Sequence, residues 1–470
     1  MPTVNLPIQF GANKDVEEIG LQTNSAAFMN VYTDSNGNVA RVPGLVELCD
    51  LGEAARVDGL YFWDRQSKLI ATCNGKHFAV TDANGTFSEI AGDTAEVGTK
   101  VYYADYGTAL YLANGGQIIK IPDSGDAAYV ADGDAPTTVS HVAFLDKYLI
   151  ALPTNLERVE YAVVLDPDSW EGDWVTPESI PDLTKAIGVA NDRIEMIGTH
   201  SLEGWRNDGV TPFVKDSAYT VDKGIAAPHS FVFIENTWYW LDHERKVVRL
   251  NGRSPELLSL TMNKYIQGFT TVTDAIGGYT SFDGRPQYVL TFPTEDKTIC
   301  YDIYNGTWLE LGRWNSGTSA YTRFAGNAFA FATAWNLAVV GDKSTGKIYK
   351  IDSTNYQDDG NTLRAMLRTP SIHHGVPEKW KVTTALEFYF KKSNVASAAD
   401  AAEFMIKWRD NGATTWKNER TVSLGKVGET DFHARLRSLG RYRSRQYEIS
   451  MSDNSHCSNC NGNKSFSNLF

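Results

Sequence analysis

Gly224-Ile-Ala-Ala-Pro-His-Ser-Phe-Val-Phe-Ile-Glu-Asn-Thr-Trp-Tyr-Trp-Leu-Asp-His-Glu-Arg-Lys-Val-Val-Arg-Leu-Asn-Gly-Arg-Ser-Pro255 is the stretch whose reading decides the fold. A small-residue opening leads into segments rich in Phe, Val, Trp and Tyr. Glu235-Asn236, Asp242-His243-Glu244-Arg245 and Asn251-Gly252, all turn-forming sequences, divide them. Aromatic and β-branched residues between such turns read as three or four short antiparallel strands joined by hairpins. A sheet that small leaves both faces uncovered and needs neighbours of its own kind.

Those neighbours are present on either side. Val57–Trp63, Leu69–Thr72, His77–Val80 and Phe87–Ile90 form one set of four, with turns at Asn74-Gly75 and Asn84-Gly85. Val101–Tyr103, Ala109–Leu112, Gln117–Ile121 and Ala128–Val130 form a second. Similar sets follow at 138–175, 182–215, 224–259, 274–314 and 320–356. A spacing of roughly 35 to 45 residues is the period of propeller blades. The expectation is an all-β chain: a β-propeller over 41–360 with seven blades, six being the alternative, and minimal helix. Residues 1–40 read as an extended segment with a hairpin turn at Asn36-Gly37.

After Asp358-Asp-Gly360 the rhythm changes. Trp380–Phe390, Phe404–Trp408, Arg420–Leu424 and Tyr447–Met451 are longer runs without the blade period. Val382, Thr384, Leu386, Phe388 and Phe390 alternate as one buried face of a half-buried sheet. A β-sandwich over 361–454 is the natural solution. The Ser- and Asn-rich segment 455–470 reads as a poorly ordered tail.

The net charge of −13 conceals an asymmetry. Residues 361–470 carry 17 Lys and Arg against 10 Asp and Glu, whereas residues 1–360 carry 27 against 47. An acidic first part argues against tight nucleic-acid binding there, because phosphate is neutralised by Lys and Arg. The basic last part is a candidate docking surface for something acidic. The longest apolar stretch, Ala328 to Val340, is interrupted by Thr333 and Asn336 and falls short of the ~20 apolar residues of a membrane helix, so no membrane embedding is expected. Five scattered cysteines make no disulfide framework. The opening residues lack a signal pattern, so synthesis and assembly in the cytoplasm are expected.

At Asp410-Asn-Gly-Ala-Thr-Thr-Trp416, Glu419-Arg420, Leu424-Gly425, Gly428-Glu429 and Leu439-Gly-Arg-Tyr-Arg-Ser-Arg445 the chain resembles the phage packaged-DNA stabilisation family of P22-like short-tailed phages. Tyr288–Pro293, Tyr301-Asp302, Trp308, Gly224–Ser230 with Trp240-Leu241, Met29-Asn30 and Pro43-Gly44 extend the likeness over about 28–453. Residues 455–470 match nothing expected of that family. The resemblance implies a non-enzymatic virion protein without cofactor: a propeller-plus-sandwich subunit forming a homohexameric ring in the tail. It further implies an adaptor protein above, a needle or plug and fibre or spike proteins below, and transient passage of double-stranded DNA.

The charge feature with most functional promise is Arg435, Arg437, Arg441, Arg443 and Arg445. A spacing of two along an extended chain would stack Arg441, Arg443 and Arg445 on one side, a row able to grip carboxylates or phosphates bidentately. The competing reading is a solvated strand face neutralised by Glu419 and Glu429. An acidic neighbouring subunit is the favoured partner, ahead of DNA, since only Tyr442 and Tyr447 could stack bases.

Other motifs weigh less. Asp166, Asp168, Glu171 and Asp173 around Trp170 and Trp174, or Asp222 and Asp242, would suit a carbohydrate-binding or glycoside-hydrolysing propeller if they converged, and this is the alternative function. Cys457 and Cys460 beside His456 have the spacing of half a zinc site, with no second pair to close a tetrahedron. His373-His374 reads as a loop or interface contact. Gly341–Lys347 nearly spells a phosphate-cradling loop, but Ile348 replaces the Ser or Thr and a strand follows, so a hairpin is the better reading.

Overall fold

Gly224–Pro255 folds as its turn chemistry dictates. Val232–Ile234, Thr237–Leu241, Val247–Asn251 and Ser254–Leu257 pair antiparallel in chain order. Glu235 and Asn236 both take positive φ (46° and 65°), the geometry that matches a two-residue hairpin to strand twist. The same turn recurs between the first two strands of other sheets, at Asp146-Lys147, Asn191-Asp192 and Asp283-Gly284. This recurrence is the structural repeat.

A computed structural model of the chain describes residues 3–5, 11–14, 26–34, 37–154, 156–177, 182–210, 212–392, 403–423, 431–454, 457–459 and 466–469. Sheets at 57–90 (blade 1), 102–129 (blade 2), 139–175 (blade 3), 184–221 (blade 4) and 232–257 (blade 5) are separate four-stranded units. Blade 6 (276–315) and blade 7 (326–352) are parts of larger sheets. The first strand of each of these seven units lines a common axis. Among the described residues the only α-helix is Asn263–Gln267.

Blade 7 departs from the sequence reading. Ala320–Arg323 pairs with Thr307–Asn315 of blade 6, and blade 7 takes its fourth strand from Gly44–Asp50, which runs antiparallel to Lys347–Asp352. The ring is thereby closed by a strand almost 300 residues away in sequence, a pairing that no local pattern announces. Closure also covers the end face that an unclosed row of sheets would present, leaving only short outer edges.

Bulges fall at one place in the inner strands of blades 1, 3, 4 and 7: between Val57 and Gly59, Val139 and His141, Thr184 and Ala186, and Gly326 and Ala328. A bulge re-aims the extra side chain. Asn327 accordingly donates to Val57 O of blade 1 (2.9 Å), and Asp58 accepts from Gly98 N beside blade 2 (3.1 Å). Some seams have a core of their own, such as Ile70, Leu110 and Ile119 between blades 1 and 2, and Ile150, Ile187 and Met196 between blades 3 and 4, whereas blades 5, 6 and 7 share one. Burying each such side chain contributes about 1.5–3 kcal/mol.

Beyond the propeller, Ala385–Lys392 with Asp431–Arg437 forms one layer, and Glu403–Asp410, Arg445–Met451 and Ala365–Arg368 form another. Leu386, Phe388 and Leu436 of the first face Phe404, Ile406, Trp408 and Tyr447 of the second. The Trp380–Phe390 run is not one strand, however. Lys381–Val382 pairs with Arg441–Tyr442, a break follows, and the burial phase flips, leaving Val382 52 % exposed while Leu386 and Phe388 are fully buried. The side chain of Phe390 lies outside the described residues.

Both chain ends add strands to this region. Ala27–Met29 lies between blade 6 and the sandwich, parallel to Thr307–Asn315 and antiparallel to Ala365–Arg368, so one sheet runs from propeller into sandwich. Asn30 locks the joint. At φ 55° its side chain donates to Gly312 O (2.7 Å) and Arg364 O (2.9 Å) and accepts from Gly312 N (2.9 Å). Val31–Thr33 and Val39–Arg41 form the expected hairpin, and Ala40 pairs with Ser458. The segment read as a loose tail contains strands: Cys457–Asn459 and Phe466–Leu469 both pair with Ala385–Lys392, and Phe466–Leu469 also pairs with Thr3–Asn5. Free backbone groups on an edge strand recruit such segments whatever their composition.

Candidate functional site

The propeller axis holds a cavity of about 600 Å³ walled by all seven inner strands. Its apolar lining is built from aromatics that enter where a neighbour has no Cβ. A Cβ at Gly188 would run into the Trp238 ring, and one at Gly278 into the Phe329 ring. At one end Lys100 Nζ donates to the carbonyls of His229 and Gly277 (3.1 Å each), tying blade 2 across the axis to blades 5 and 6. Burial lowers the Lys100 amine to about 8. Tyr102 hydrogen-bonds the His229 ring (2.9 Å) and lies against His141, with centroids 3.8 Å apart. Burial, followed by the charge of Lys100, holds His229 down at about 3; burial and then His229 and Lys100 hold His141 well below the usual range. This size is that of a small-molecule pocket, not of a passage.

The arginine run divides into parts with different roles. Arg445 is fully buried, forks onto Asp410 through Nε (2.6 Å) and Nη2 (3.1 Å), donates to Leu439 O, and lies 4.1 Å from the Tyr442 centroid. Its guanidinium is therefore structural. Arg435 is paired with Glu387 (2.9 Å). Arg437 is exposed, and its carbonyl accepts from Arg420 (2.9 Å). Arg441 and Arg443 remain at the surface, both over the ring of Trp380 at 4.8 and 4.9 Å. Neither has a carboxylate partner among the described residues, in contrast to Arg435 and Arg445. The expected row of three is thus broken, because the chain bends at Arg443-Ser444 before the next strand begins at Arg445.

Sequence reading missed Trp380 and Val382, which are 50 % and 52 % exposed beside those arginines. The available signal was Trp380 standing at the very start of an otherwise alternating run.

The acids proposed for carbohydrate chemistry are not brought together. Asp168 accepts from Tyr111 (2.8 Å) and pairs with Lys120. Asp166, Glu171 and Asp173 are exposed on blade 3, and Trp170 is buried in the seam with blade 2. Asp242 is buried in a blade 5 turn, accepting from Glu244 N (2.9 Å) and Lys246 N (2.8 Å), while Asp222 is exposed beyond blade 4. Gly341–Lys347 is a hairpin held by Asp342, which accepts from Ser344 N (2.7 Å) and Thr345 N (2.9 Å). His374 hydrogen-bonds Tyr442 (3.2 Å), and His373 accepts from Gly375 N. Cys460 and His456 lie outside the described residues, and Cys457 is on a strand. No cluster of three metal-ligating side chains occurs among the described residues.

These features define a class: a β-propeller fused to a β-sandwich. The family follows from the sequence match. Residues 4–356 match the family model described as "Bacteriophage P22 Gp10, beta-propeller", and the chain belongs to this packaged-DNA stabilisation family, as a phage structural protein. No curated protein matches the chain in sequence. Among solved structures it is similar to the extracellular domain of BT4673 from B. thetaiotaomicron, described as a candidate one-component system. The TM-score is 0.45 with 10 % identity over 87 % of this chain, and the chain spans 62 % of that one.

Proposed function

We propose that this protein is the ring-forming tube or hub piece of a short-tailed phage tail, six copies set below the portal and adaptor, with a needle or plug and fibres or spikes beneath. It retains packaged DNA before infection and provides the path for ejection. The observation that carries this reading is the family match across the whole propeller. The sheet running unbroken from blade 6 through Ala27–Met29 into the sandwich supports it, because a subunit that bears load in a ring should not hinge between its lobes. The axial cavity of about 600 Å³, bridged at one end by Lys100, favours a DNA path between copies over one down a propeller axis. The acidic first part of the chain then faces the bore and repels phosphate, so that the duplex slides.

Particles assembled without this protein are expected to package DNA and then lose it. Retention equal to that of complete particles would overturn the role. A cryo-EM map of assembled tails tests the ring and the lining separately: one copy per tail would remove the ring, and a bore lined by Lys and Arg would remove the repulsive lining.

A further inference from the structure

From the charge and exposed apolar surface of two distant regions we infer how neighbouring copies join: the outer edge of blade 3 in one copy docks on the Trp380–Arg441–Arg443 patch of the next, head to tail. The inference rests on the ring reading and adds the two surfaces that make it.

The first surface lies where acids and apolar side chains concentrate together. Residues 121–180 carry 12 Asp and Glu against 2 Lys and Arg. Val164 and Leu165 on the connection into the last strand of blade 3, and Trp174 in that strand under the Arg158 guanidinium, are exposed, Leu165 at 65 % and Trp174 at 51 %. Exposed apolar residues scattered singly mean little, but several in one place mark an interaction site. Leu165 also sits at φ 67° with its N–H bonded to Lys147 O (3.1 Å). A bulky residue held in that region of backbone space while projecting into solvent is displayed at a conformational cost. Asp166 follows it in the chain, and Glu171 and Asp173 lie further along the same connection, all exposed.

The second surface is its chemical complement. Trp380 and Val382 supply exposed apolar area, and Arg441 and Arg443 supply two guanidinium groups lacking a carboxylate among the described residues. Both cations are held on one indole, with Val382 opposite Arg441 across the strand pair, so the patch is preorganised. Trp and Arg are the residues that dominate interface energetics, and guanidinium groups grip carboxylates bidentately. Residues 361–454 carry 16 Lys and Arg against 10 Asp and Glu.

Placement decides the occupant. The sandwich is joined through Ala27–Met29 to Thr307–Asn315, the outer strand of blade 6. Blade 6 is three steps from blade 3 around seven, close to the opposite side of the propeller. Two complementary but different patches on opposite sides of one chain cannot satisfy each other within it. They make a heterologous contact, which closes into a ring when the rotation permits.

Two variants test this by native mass spectrometry. Arg441→Asp with Arg443→Asp removes one surface; Leu165→Asp with Trp174→Ser removes the other. The parent chain is expected to form rings and each variant to remain monomeric with an unchanged melting temperature. An equal mixture is expected to stop at dimers, since one intact edge meets one intact patch and nothing further can add. Trp380→Ser serves as a second patch variant should the aspartates unfold the sandwich. Rings from either folded variant, or a mixture that stays monomeric, overturn the proposal while leaving the ring reading standing. A parent chain that is monomeric both alone and in assembled tails overturns both.

Discussion

The propeller and the sandwich are both antiparallel β-structure, yet they are assembled by opposite means. Blades 1 to 5 are each made from one continuous piece of chain whose strands pair with their sequence neighbours. The sandwich region combines strands from 27–41, 365–451 and the last residues of the chain, and its longest sheet extends into blade 6. Local hairpins make the propeller tolerant of change in any single blade. Long-range pairing makes the sandwich dependent on a few buried polar contacts. Charge follows the same division, acidic in the first region and basic in the second.

The sharpest way to break this contrast is at Arg445. Asp410→Ala would leave a fully buried guanidinium without its carboxylate, and is expected to cost about 3–5 kcal/mol. In urea the sandwich should unfold first while the propeller holds; one cooperative transition for both regions would show that they are a single unit. Asn30→Ala strikes the joint between them. It strands the Gly312 N–H and places alanine at φ 55°, for about 3 kcal/mol, and limited proteolysis should then release the sandwich from an intact propeller.

The propeller is also open to attack by acid. The folded-state pKa of His229, about 3, lies below its ordinary value of 6.5, so the unfolded chain binds the proton first. Its stabilising effect is complete above 6.5 and is lost as pH falls from there towards 3. After allowance for partial exposure, His229 should account for on the order of 2 kcal/mol lost at pH 4. Comparing His229→Gln with the parent between pH 7.5 and 4 measures this as a flatter profile. The smallest effect belongs to Arg441→Ala with Arg443→Ala, which should alter monomer stability by less than about 0.5 kcal/mol in thermal melts. A larger loss would mean that these side chains hold the sandwich together.

Legibility differed between the same two regions. Gly224–Pro255 announced three or four strands because its turns, such as Glu235-Asn236, are fixed by local backbone preference. The fourth strand of blade 7 was misplaced, since Ala320–Arg323 and Gly44–Asp50 are equally plausible strands and only the ring decides which one closes it. In the arginine run, alternate spacing suggested a shared face for Arg441, Arg443 and Arg445. The bend at Ser444 instead sent Arg445 into the core beside Asp410 and left Arg441 and Arg443 on Trp380. The acids around Trp174 were visible as a cluster but carried no indication of whether they enclose a cleft or cover an edge.

By itself the sequence determined the strand-and-turn rhythm, the number of repeats within one, the change of architecture near residue 360, the reversal of charge and the family. Each of these depends on interactions within a few residues or on sums over many. Tertiary structure alone decided which distant strands pair, how Ala27–Met29 welds the two regions, and which arginines are buried and which are offered to a partner. Those outcomes depend on edges meeting across hundreds of residues, where pairing is governed by geometry and exposed backbone groups and not by side-chain identity.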